Sequence, residues 1–199
     1  HDHVTTRTLA RAMSLNVGEA ANVVKDGPLE SWLRRYLKEE FMANKVKETA
    51  ELAEIHKTEV QGMDDYVVAK ACIILDPSSP IRFKGFSFMP EAFGAAMAVE
   101  MLRQGDAQIA AETILRGIPG IWLGAQRDGK QESSPISRNF NRARLILQNN
   151  DSGYGIERCL YDLNPSLPCQ SQLIVHDYVV NIKELLPALD EAANRVDTK

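Results

Sequence analysis

No apolar run in this 199-residue chain approaches the roughly 18 residues that a membrane-crossing helix needs. Cysteine is scarce as well. Cys72, Cys159 and Cys169 are an odd set with no C-x-x-C pair, which fits neither a disulfide framework nor a zinc site. Cys72 and Cys159 precede apolar residues on expected helices, so they read as small buried hydrophobes rather than nucleophiles. No phosphate loop is present: Gly124 to Lys130 has glycines and a lysine, but neither the spacing nor the following Ser or Thr. There is no Gly-x-Ser-x-Gly elbow and no Glu-x-x-His pair, so neither an esterase-type site nor a helical carboxylate metal centre is expected. The charge excess is small and negative, at -4, which argues against a strong grip on nucleic acid. What remains is ordinary for a globular fold. Apolar residues make up 44%, enough burial to offset chain entropy.

The opening His1-Asp2-His3 has no apolar signal core behind it and stands just ahead of an expected helix. A cloning remnant, a true terminus and a metal clasp are all open for this triplet, and the start fits an excised piece of a longer protein. The compartment read from these signals is the cytoplasm, with no membrane partner.

Periodicity predicts a mainly helical chain. Thr5 and Thr6 can cap a helix running to about Val24, which Gly27-Pro28 ends. Leu29, Trp32, Leu33, Tyr36 and Leu37 then trace one helical face. Further helices are expected over about 43–58, 66–75, 90–104, 107–115, 138–148 and 154–163. The last helix is expected from Glu184, because Pro187 is tolerated only near a first turn. Phe83 to Phe88 and Leu173 to Val180 read as short extended stretches, and Arg127 to Ser137 as a loop.

The strongest signal is self-similarity. Gly27 and Gly117 stand 90 residues apart, as do the two tryptophans, Trp32 and Trp122, and Leu33 and Leu123. Downstream, Leu75-Asp76-Pro77-Ser78-Ser79-Pro80 answers to Leu163-Asn164-Pro165-Ser166-Leu167-Pro168. Each exit leads through an extended segment to an amphipathic helix, Glu91 to Leu102 in one copy and Glu184 to Val196 in the other. The acid or amide turns the chain through its own backbone, and the prolines stiffen the exit. The expected fold is two tandem pseudo-repeats of about 90 residues, 1–104 and 105–199, packed as one helical body, with Trp32, Trp122, Asp76, Pro77, Asn164 and Pro165 as structural landmarks. A chance likeness is the alternative. The two extended segments are expected to pair as a short ribbon.

The stretch Leu29-Glu30-Ser31-Trp32-Leu33-Arg34-Arg35-Tyr36-Leu37, with its Leu-Asp-Pro and Leu-Asn-Pro stops, resembles helical accessory regions of bacterial kinase-like, phosphopeptide-binding or Hsp70-like multidomain proteins. The resemblance implies an accessory or regulatory role and transfers no catalytic residue.

For function, the expectation is a non-catalytic interaction or regulatory domain, with a protein or another domain of the parent chain as partner and no metal or cofactor. Arg34 and Arg35, with Lys38 beside them, and Arg138, Arg142 and Arg144 are the candidate binding residues for an acidic group or phosphate. An enzyme site at the junction of the repeats, drawing on Asp76, Asn164 and His176, is one alternative. Weak nucleic-acid binding through the same arginines is another. His56, Glu48, Glu51, Glu54, Asp64 and Asp65 read as solvated helix faces, and Ser133-Ser134-Pro135 as a serine-rich loop, with a modification site as the alternative.

Overall fold

Thr5 starts the first helix as the sequence predicts: its hydroxyl accepts the Thr8 amide at 3.2 Å, and the Thr8 hydroxyl answers the Thr5 amide. The expected single helix to Val24 is instead two. Asn16 leaves the helical region (φ -132°, ψ 62°) and separates α1 (Thr6–Leu15) from α2 (Val17–Lys25). The break lets Ala10 and Met13 of α1 and Ala20, Ala21 and Val24 of α2 reach one core from two directions. The computed structural model describes residues 5–55, 62–126 and 134–197. His1-Asp2-His3, His56 and Ser133, and most of the expected loop 127–137, lie outside them.

Gly27, at φ 92°, turns the chain into α3 (Pro28–Trp32), with proline at its first position. A π-helical turn over Leu33–Leu37 follows, ended by Lys38 in the left-handed region. Next come α4 (Glu40–Ile55) and α5 (Met63–Leu75). The Phe-rich stretch is a two-stranded antiparallel hairpin, β1 (Ile81–Phe83) against β2 (Phe86–Phe88), with Ile81 opposite Phe88 and Phe83 opposite Phe86. The second half runs α6 (Phe93–Gln104), α7 (Gln108–Leu115), α8 (Ile118–Ala125), α9 (Pro135–Gln148) and α10 (Ile156–Leu163). The last described helix is α11 (Ile182–Asp197), which begins two residues earlier than expected and carries Pro187 in its second turn.

Two expectations are corrected. Leu173 to Val180 is not extended: it forms turns and a short 3-10 helix at Val175–Asp177. The ribbon is therefore made within 81–88 alone, not between the two segments. The physical reason is composition: the second stretch lacks the aromatic pairs that hold the hairpin, where Phe86 and Phe88 rings lie 4.9 Å apart.

Two cores lie on either side of α5. In the first, α5 packs against α1, α2 and α4. In the second, α10 packs against α6 and α9, and α9 against α7. Val67, Val68, Ala71, Cys72 and Leu75 of α5 face the first core, while Ala69 and Ile73 face the second. A helix apolar on both sides belongs inside, which explains the unpatterned apolarity of this stretch. The expected boundary at residue 104 falls between α6 and α7, two helices of one core.

The exits of α5 and α10 share a backbone shape. Asp76 (φ -145°, ψ 82°) and Asn164 (φ -131°, ψ 71°) each cap their helix. Asn164 donates to the Gly94 carbonyl at 2.9 Å, tying α10 to α6. A Cβ on Gly94 would stand 2.7 Å from the Leu163 carbonyl oxygen. Gly94→Ala is therefore expected to destabilise the chain by about 1–3 kcal/mol through forced separation of the two helices. Chemical denaturation checks it, and an unchanged midpoint would contradict the close approach.

Candidate functional site

Structural bonds hold Arg34 and Arg142 among the expected binding residues. Arg34 Nε donates to Glu30 at 2.6 Å, and its remaining nitrogens reach Glu40 and Asn44. Its pKa is raised, first by the Glu30 bond. Arg142 pairs with Asp162 between α9 and α10. Arg35 and Arg144 are exposed, and Arg138 lies with Arg142 and Arg144 on α9. The two arginine groups thus sit on the π-helical turn of the first core and on a helix of the second.

The junction between the cores is closed by hydrogen bonds. Trp122 Nε1 donates to the Ser79 carbonyl at 3.2 Å, and Gln126 Nε2 to the Pro77 carbonyl at 2.7 Å. Asp76 accepts Arg7 Nε at 3.1 Å and the Ser78 hydroxyl at 2.8 Å. Asn164 is occupied with Gly94 and with the Leu160 carbonyl. His176 is exposed on the 3-10 turn. Asp76, Asn164 and His176 therefore do not form one constellation.

Burial pushes the thiols of Cys72 and Cys159 up to about 12, far from the thiolate a nucleophile needs. Cys72 also donates to the Ala10 carbonyl. Among the described residues no group of His, Cys, Asp or Glu side chains gathers as a metal site requires. No described helix is long and apolar enough to cross a membrane.

Two features remain without a structural explanation. The first is a cavity of about 600 Å³ at the corner of α6 and α7, walled by Phe86 and Phe88 of the hairpin, Ala96, Val99 and Glu100 of α6, and Ile109 of α7. The corner of α1 and α2 holds a smaller cavity of about 220 Å³, bordered by Leu9, Met13 and Val23. Glu100 is only 6% exposed. Its Oε2 accepts the Ala110 amide at 3.1 Å, satisfying a free donor at the start of α7. Burial raises its pKa, the Ala110 bond lowers it, and Asp106 raises it further, with the net direction upward.

The second is α11. Ile182 is 76% exposed, Leu186 73%, Leu189 40% and Val196 63%. With Ala193 they recur at steps of four and three, which is the seam spacing of paired helices. Ala188 and Ala192, on another face, pack on Ile174 and Val179 in a small third cluster.

Neither feature was found from the sequence. The signal for Glu100 was present: it is an acid at an inward position of α6, in line with Phe93 and Met97. The signal for α11 was also present, because its apolar residues are too many for one narrow face. Scans against protein-family models, curated proteins and solved structures each returned no match.

Proposed function

We propose that the chain is a non-catalytic helical interaction domain of regulatory type, built from a copied five-helix unit, and that α11 is its docking helix. The uncovered seam of α11 carries this reading. Large apolar side chains in a contiguous stripe mark a contact surface rather than a solvated face.

Internal likeness supports the copying. α1 to α5 and α6 to α10 follow one order of packing, in which the last helix lies on the first and on the fourth. Gly27 and Gly117, both left-handed, open α3 and α8, and Asp76 and Asn164 close α5 and α10 with similar dihedrals. The natural boundary on this reading lies before α6, near residue 89, and α11 takes the place of α1 and α6 in a further round.

That placement says what the seam accepts. Phe93, Met97 and Glu100 form the buried face of α6, at steps of four and three. Ile182, Leu186 and Leu189 stand 89 residues on with the same steps, but in water. The partner is an amphipathic helix that supplies what α10 supplies to the second core, where Cys159 and Leu160 are buried and Ile156 and Leu163 pack beside them.

The test uses a synthetic three-heptad helix with leucine at its a and d positions, against a scrambled control. The chain should bind the helix, and the double variant Leu186→Asp, Leu189→Asp should lose at least about tenfold in affinity. Because both side chains are exposed, the stability of the variant should stay within about 0.5 kcal/mol. Equal binding by the variant and the wild type, or by the scrambled control, would defeat the proposal. So would a large loss of stability, which would place the seam inside the fold.

A further inference from the structure

Among the described residues four polar ones are buried: Thr49, Asp76, Glu100 and Thr113. Thr49 and Thr113 donate to the Lys45 and Ile109 carbonyls. Asp76 uses both carboxylate oxygens, one for Arg7 and one for Ser78. Glu100 alone leaves an oxygen, Oε1, with no partner among the described residues. A buried carboxylate with one hydrogen bond is costly, and a positively charged donor is what it lacks.

The surroundings narrow the choice. Phe86, Phe88, Val99 and Ile109 offer an apolar wall, and the alanines of α6 leave room beside it. Two cations border the cavity. Lys84 is tied to both oxygens of Glu112, at 2.7 and 2.9 Å. Arg103 is exposed, has no partner among the described residues, and stands three positions after Glu100 on the same helix, so the two side chains are neighbours along one face.

We propose that the α6–α7 cavity binds a short zwitterion with an apolar body, of dipeptide size, its ammonium group on Glu100 and its carboxylate on Arg103. A volume of about 600 Å³ lies within the range of small-ligand pockets. The cavity at the corner of α1 and α2 is bordered by one acid, Glu19, and by no cation, so it lacks the pair of opposite charges. The site is separate from the α11 seam, and either can fail without the other.

Calorimetric titration with Leu-Leu, Leu-Leu amide and N-acetyl-Leu-Leu tests the assignment, because the two blocked forms each lack one charged end. Leu-Leu should bind at least about tenfold tighter than either. Glu100→Gln keeps an oxygen for the Ala110 amide, so its melting temperature should stay within about 2 °C while Leu-Leu affinity falls at least about tenfold. Arg103→Met, at an exposed position, should cause a similar loss and remains readable if Glu100→Gln folds poorly. Affinity should also decline as pH falls and Glu100 takes up a proton. Absence of binding by Leu-Leu, equal affinity for a blocked form, or unchanged binding by a folded Glu100→Gln or by Arg103→Met would overturn the proposal.

Discussion

Trp122→Ala is expected to lower stability by about 3–5 kcal/mol, whereas Trp32→Ala should lower it by no more than about half as much. The two indoles occupy matching places in the chain but unlike surroundings. Trp122 is 7% exposed and closes the contact of α8 with α5 and β1. Its removal opens a cavity there and leaves the Ser79 carbonyl without its indole donor. Trp32 is half-buried at the edge of the first core. Urea unfolding of both variants, read as free energies at unchanged m-value, measures the difference. Equal losses would show that Trp32 is as firmly seated as Trp122.

Phe93→Ala should be comparably damaging, at about 3–5 kcal/mol. Phe93 begins α6 and is 2% exposed. Its ring meets Phe88 at 4.8 Å, Phe140 at 5.2 Å and Phe86 at 6.0 Å, each edge to face. One side chain thus joins the hairpin, α6 and α9, and its loss removes three ring contacts as well as buried area. Phe93→Leu keeps most of the volume and should cost about 1 kcal/mol. Similar values for the two variants would mean that the site collapses around any residue and that ring geometry matters little.

The helices were legible because their signals are local. Thr5 as a cap, Gly27-Pro28 as an entry and Asp76-Pro77 as an exit each act within a few residues, and each works as its chemistry predicts. The break at Asn16 was not legible, since nothing near it forbids a continuous helix; tertiary packing of α1 and α2 on α5 decides it. The same holds for Leu173 to Val180, whose β-branched residues suit a strand but have no paired strand to meet. The Arg34 pair with Glu30, four residues back, was legible as a helix pattern, but Glu40, six residues from Arg34, and Asp162, twenty from Arg142, stand at spacings that no single-helix pattern flags. Glu100 stands at the inward spacing of Phe93 and Met97, but that spacing alone does not show what covers it; Ala110 and the hairpin do.

The position of α5 has a consequence for how the chain can be divided. One surface of it completes the first core while Ala69 and Ile73 complete the second. Cutting before α6 would strip the companion helices from those two residues and expose bare hydrocarbon along the cut, while the other fragment would lose the floor beneath Trp122. The two cores therefore do not make two separable bodies, because each has α5 as a wall and neither can be cut free without opening the other.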